Sequence, residues 1–178
     1  VLTYIAGYAT QSTWTYFTME KFGWDEKWVG YSLAFVGLMA AIVQGGLTRT
    51  VIPRLGNTKS IYWGLSLYAL SFLLYAFADK GWMMFAITIL SALGGIATPA
   101  LQAIMSNEVP PNEQGELRGA LTGLMSLTAI FGPIMMTSLF AYFTSPSAPF
   151  QFAGAPFMMG AVLTVFSLVL VKKLLTKN

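Results

Sequence analysis

Cysteine and histidine are both absent from the 178-residue sequence. Lack of cysteine excludes disulfides and thiolate metal sites and leaves the redox compartment open. Lack of histidine as well leaves zinc almost no ligands. Charge is the third shortage. Charged residues make up 10% of the chain and hydrophobic residues 56%, whereas a soluble domain carries about a quarter charged residues. With a mean hydropathy of +0.64, such a chain cannot dress a water-facing surface, and its class is membrane protein. The opening VLTYIAGYATQ has no initiator methionine, no basic n-region and no small-residue cleavage site. It does not read as a signal peptide, and the expectation is a chain cut from something longer.

What is present is a series of charge-free runs, at 1–19, 28–48, 60–78, 81–107 and 119–171. A helix crossing hydrocarbon needs about 20 residues, and the last run is long enough for two. Its middle, FTSPSAPFQF, places Pro146 and Pro149 among serines, which is turn chemistry. Six spans follow, at about 1–19, 28–50, 60–78, 82–106, 117–141 and 151–172. Backbone polar groups in lipid must be satisfied within the segment, so these runs are helices. A β-barrel would need alternating segments of roughly ten residues, which the sequence lacks. In a soluble bundle one central helix can be apolar all round, but six in succession cannot. The fold class is therefore all-α transmembrane, a six-helix bundle.

Lysine and arginine set the orientation. Arg49, Arg54, Lys59, Arg118, Lys172, Lys173 and Lys177 fall on one side, against Lys21, Lys27 and Lys80 diluted by acidic residues on the other. Both chain ends are thus expected in the cytoplasm. The stretch QGGLTRTVIPRLGNTKS at 44–60 reads as a short loop between spans, with Pro53 and Gly56 keeping it tight. Its cations mark the anionic inner face of a membrane, and a nucleic-acid partner is not expected.

Six spans with both ends inside match one half of a major facilitator superfamily transporter. The 44–60 stretch resembles the cytoplasmic loop between the second and third helices of a half in that superfamily. The segments FGWDEKWVGYSLAFVG at 22–37, GWMMFAITILSALGGIATPALQAIMSNEVPPNEQGELRGAL at 81–121 and MSLTAIFGP at 125–133 resemble the C-terminal half of the tetracycline-efflux, drug/proton antiporter branch. The resemblance covers nearly the whole chain. It implies helices seven to twelve of a twelve-helix exporter of the bacterial inner membrane. The implied partners are a missing N-terminal half, membrane lipids, a small-molecule substrate and protons. Those exporters carry an aspartate in the third helix of this half. Alignment through the closing A-F-A and glycine puts Tyr68 at its position, which argues against tetracycline itself and leaves proton coupling to carboxylates of the other half.

Polar groups inside spans must face a partner or a water-filled cavity. Gln11, with Thr10, Trp14 and Tyr8, is expected either to glue helices together or to form a substrate-facing wall. Gln44 either caps the end of its span or lines a cavity. Gln102 follows Pro99, which frees a carbonyl for Thr98 or a water to satisfy and bends the helix; the resemblance adds that matching amides line a central cavity. Gly115 and Gly119 offer close packing or part of an inner gate. Gly132 and Pro133 mark a hinge or a static kink. The resemblance also makes Arg49, Arg54, Gly56 and Arg118 candidates for gating; Glu108, Glu113 and Glu116 either latch onto the basic loop or belong to a solvated loop.

Trp24, Trp28, Trp63 and Trp82 are read as belt anchors at the interfaces. No catalytic constellation, metal site or cofactor motif is visible, and an enzyme is not expected. Two functions stand: half of a secondary exporter, or a structural six-helix membrane domain without transport of its own. A half alone would leave its mating face bare or covered by a second copy, in a homodimer that need not be physiological.

Overall fold

The computed structural model describes residues 1–175, and no strand occurs among the described residues. Lys177, one of the cations counted above, lies outside them. Six helices follow in order: α1 (Leu2–Phe22), α2 (Glu26–Leu55), α3 (Asn57–Ala76), α4 (Gly81–Asn107), α5 (Gln114–Thr144) and α6 (Ala155–Leu175). They match the expected spans to within a few residues at each end. Val1 and Val171 line one cavity, so the two described ends of the chain lie at the same end of the bundle. That end also carries Arg49, Arg54, Lys59 and Arg118 and is called the basic end below.

Four of the six helices are long and apolar enough to cross a membrane: α2, α4, α6, and α5 with its leading turn. The other two, α1 and α3, are long enough at 21 and 20 residues but less apolar. Their place in the bundle accounts for this. α1 packs against α5 and α6, and α3 against α4 and α6, so protein replaces lipid around much of each. Their hydroxyls bond back to the preceding turn. The Thr13 hydroxyl donates to the carbonyl of Ala9, Thr18 to Trp14 at 2.9 Å, Ser60 to Gly56 at 2.8 Å and Ser71 to Leu67 at 2.7 Å. No buried side-chain polar atom is left unpartnered among the described residues.

The main core is aromatic and sits toward the end opposite the basic one. Phe17 meets Phe157 edge-on at 4.9 Å, and Trp14 meets Tyr75 edge-on at 5.4 Å. A smaller cluster of Ile61, Leu65, Ala97 and Ala100 joins α3 to α4 nearer the basic end. There the two backbones almost touch. A Cβ on Gly64 would lie 2.7 Å from Ala97 and 2.9 Å from the carbonyl of Gly94, and one on Gly94 would lie 2.3 Å from the Tyr68 ring.

The expected loop at 44–60 is almost entirely helical. α2 continues through Gln44–Leu55 by way of a π turn at Val43–Leu47. The connection to α3 shrinks to Gly56, with φ +81°, a conformation open to glycine and strained for other residues. Its N–H donates to Ile52 at 2.8 Å and its carbonyl accepts from Ser60 at 3.1 Å, so one residue ends one helix and starts the next. Pro53 is tolerated inside this last piece of α2 because the carbonyl it orphans lies at the exposed end of the helix, where water can bond it.

Glycine positions on α5 differ from those on α3 and α4. A Cβ on Gly115, Gly119 or Gly123 would meet nothing within 4 Å, so the expected close packing is not made within this chain. Gly64→Ala is predicted to lower thermal stability by about 1–3 kcal/mol through overpacking. Gly119→Ala is predicted to be neutral or to stabilise by up to about 1 kcal/mol through helix propensity. Paired melting curves of the two variants in one detergent measure the difference.

Candidate functional site

Polar residues of α1 to α4 converge on an open hollow of the bundle, where Gln11 and Gln44 are exposed. One chamber of about 170 Å³ is walled by Thr10 and Gln11 of α1, Gln44 of α2, Tyr68 and Tyr75 of α3 and Thr88 of α4. A second chamber of about 260 Å³ shares Gln11, Gln44 and Tyr68 and adds Tyr4 and Thr98. Sequence spacing alone places these side chains on four separate helices; the fold brings them to one space. No acidic or basic side chain lines either chamber.

Local irregularities position the wall. The π turn of α2 contains Gln44, Gly45 and Gly46, and closes with the N–H of Thr48 bonded to the carbonyl of Val43. The Thr48 hydroxyl adds a second bond to the same carbonyl at 2.9 Å. One extra residue in the turn shifts the register of the helix, and Gln44 borders both chambers instead of only capping a span. This irregularity has no clear sequence signal beyond the paired glycines.

In α4 the regular helix breaks between Gly94 and Ala97. Pro99 lacks the N–H that would have bonded the carbonyl of Gly95. The N–H of Thr98 reaches it instead, at 3.4 Å. Thr98 was expected to satisfy a freed carbonyl, and it does so through its backbone. Beyond the break, the Gln102 amide donates to the Tyr4 hydroxyl at 3.3 Å. Gln102 therefore lies beside the two chambers, in the gap between α4 and α5, and does not border them.

Two expected wall residues lie elsewhere. Trp14 is 2% exposed, with its indole N–H donating to the Ser32 hydroxyl at 2.9 Å and its ring against Tyr75. It is a core residue joining α1, α2 and α3, because a satisfied indole can be buried at little cost. Tyr8 packs its ring on Gly132, where a Cβ would come within 2.3 Å of it. That contact gives Gly132 a packing role at the α1–α5 crossing. Pro133 follows in a helix that runs unbroken from Gln114 to Thr144, so no hinge is marked there.

Arg49 and Arg54 are exposed on the last turns of α2, and Arg118 on the first turns of α5. Lys21 and Asp79 form an ion pair at 3.3 Å at the opposite end. Among the described residues no carboxylate lies within ion-pair distance of Arg49, Arg54 or Arg118, so the latch with Glu108, Glu113 or Glu116 is not made in this conformation.

Comparisons with known proteins agree with this architecture. The sequence model of the Major Facilitator Superfamily matches residues 1–177. The class C tetracycline resistance protein of Escherichia coli is 38% identical over 159 residues, 89% of this chain and 39% of that protein. The class G protein of Vibrio anguillarum is 35% identical over 169 residues, 95% of this chain and 42% of that protein. Human hippocampus abundant transcript-like protein 1 is 26% identical over 93% of this chain and 36% of its own length. The chain spans about two fifths of the length of the relatives it matches.

The separation between core and cavity residues is measurable. Trp14→Phe is predicted to destabilise the fold by at least about 1 kcal/mol, through the lost hydrogen bond and the space left behind. Gln11→Ala is predicted to stay within about 0.5 kcal/mol of the parent, as a surface change does. Thermal melting of both variants in one detergent checks this.

Proposed function

The chain belongs to the major facilitator superfamily, and from that premise we propose that it is the C-terminal six-helix half, helices seven to twelve, of a proton-coupled exporter. The substrate class is drugs or other small lipophilic and amphipathic compounds, and the site of action is the bacterial inner membrane. The observation that carries the reading is the uncharged polar cavity walled by Gln11, Gln44 and Tyr68. Amides inside an apolar bundle are costly unless they serve a water-filled path or a ligand. A structural domain has no use for such a space.

The chambers offer hydrogen bonds and a tyrosine ring, which suits an uncharged or weakly polar ligand. Coupling to protons is assigned to carboxylates of the other half, since none lines this cavity. Alternating access needs one bundle to rock against another around a site between them. The open face of α5, with Gly115, Gly119 and Gly123 bare, is the surface assigned to that partner half. A second copy of this chain on the same face is an arrangement expected only outside the intact protein.

The full-length protein in proteoliposomes is predicted to accumulate a lipophilic drug against its gradient when a proton gradient is imposed. Gln11→Ala and Gln44→Ala should lower that transport at unchanged abundance. Drug accumulation that is absent in the parent, or unaltered in both variants, would overturn the reading. Arg49→Ala is predicted to slow transport while insertion and abundance stay normal; an unchanged rate would leave the cations of α2 as topology signals alone.

The basic end is assigned to the cytoplasm. A cysteine at Thr50 should react with an impermeant thiol reagent from the cytoplasmic side, and one at Ala148 from the other. Labelling of both from one face would contradict the topology.

A further inference from the structure

The first chamber runs from the exposed amides of Gln11 and Gln44 to a closed end made by Tyr75 of α3 and Thr88 of α4. Tyr75 is 1% exposed and Thr88 3%. Neighbouring rings fix the tyrosine. Trp14 meets it edge-on at 5.4 Å, and Phe157 lies tilted against it, also at 5.4 Å. Its hydroxyl therefore has one place, at the end of the chamber.

The direction of the hydrogen bonds there follows from counting protons. A hydroxyl carries one proton and two lone pairs. Thr88 gives its proton to the carbonyl of Met84, one turn back, at 2.7 Å. The Tyr75 and Thr88 oxygens lie 2.9 Å apart, so the proton between them is the one from Tyr75. The bonds run one way, from Tyr75 to Thr88 to Met84.

With its only proton committed, the Tyr75 oxygen offers the chamber lone pairs alone. Donating to Thr88 also polarises that oxygen and makes it a better acceptor. Ser91, another wall residue, stands beside the Tyr75 hydroxyl and can fill one lone pair; the other remains. No acidic or basic side chain lines the chamber. A cavity of about 150 Å³ holds benzene, so this one, at about 170 Å³, admits a small ring system.

We infer that the closed end of the first chamber selects ligands carrying a neutral hydrogen-bond donor. Tyr75 is the specificity-determining residue, and Thr88 is the positioning residue that orients its proton. The inference deepens the reading of the chamber as a ligand site and rests on it. The substrate class narrows to uncharged compounds with an N–H or O–H that reaches Tyr75, while the amides of Gln11 and Gln44 meet the remainder.

The test is equilibrium dialysis of the full-length protein in neutral detergent with three bicyclic probes of similar shape. Indole has a donor, 1-indanone has only an acceptor, and indene has neither. Protein-free detergent measures the background uptake of each. The parent should bind indole about fivefold more tightly than indene, the size of one net hydrogen bond, and 1-indanone no better than indene. Tyr75→Phe should bring indole down to the level of indene. Thr88→Val removes the acceptor for the phenol proton, which then turns to the chamber, so 1-indanone should rise above indole. Thr88→Ser should restore the parent order.

A loss of packing alone would weaken all three probes together and reverse nothing. Melting curves check that each variant is folded. Absence of an indole preference in the parent, its survival in folded Tyr75→Phe, or an unchanged order in folded Thr88→Val would each overturn the assignment. Drug accumulation in proteoliposomes is measured separately. Accumulation without the donor preference would overturn this inference alone, whereas the preference without accumulation would overturn the exporter reading and leave the assignment standing.

Discussion

A polar group surrounded by hydrocarbon must find a partner or water, and this one constraint orders the whole bundle. The backbone meets it by forming helices. Threonine and serine hydroxyls meet it by bonding carbonyls one turn back, as Thr18, Ser71 and Thr164 do. Larger polar groups meet it across helices: Trp14 with Ser32 and Tyr75 with Thr88. The helices richest in such groups, α1 and α3, are packed against neighbours on more than one side, and the most apolar ones carry much of the exposed surface. Gln11 and Gln44 are amides that the core does not absorb, and Tyr68, packed edge-on against Phe72, stands beside them. They border a cavity, and that placement connects packing to function.

Cavity formation depends on departures from the ideal helix. A π turn at Gln44, a break ahead of Pro99 and the one-residue connection at Gly56 each spend local regularity to re-aim a side chain or a helix axis. The close approach at Gly64 and Gly94, where α3 and α4 meet backbone to backbone, lies beside the second chamber. The bundle is consequently dense and aromatic at one end and parted at the basic end.

Much of the architecture was legible in the sequence, because charge-free runs report helix positions directly and most of the cations gather at the end where the described chain ends lie. The amides Gln11 and Gln44 could be singled out for the same reason: each is an exception to an apolar run. Tryptophan carries no such signal, since a ring with one donor suits a core and a ligand wall equally; only the Ser32 partner decides the case of Trp14. Tyr8 likewise depends on a glycine more than a hundred residues away. The stretch at 44–60 misled because glycines and a proline usually mean a loop, whereas a π turn and an exposed helix end accommodate them here. Bare glycines on α5 look in sequence the same as packed ones on α4.

The account is tested most directly by water itself. The chain has no cysteine of its own, so single cysteines introduced into a cysteine-free full-length protein report cleanly. Cysteines at Gln11 and Gln44 are predicted to react with a small, impermeant thiol reagent applied from the basic end, and a bound drug should protect them. A cysteine at Trp14, in the dry core, and one at Leu170, on the exposed apolar face of α6, should remain unreactive. Equal silence at Gln11, Gln44 and Leu170 would mean that the polar residues face protein or lipid and that the cavity is not an aqueous path.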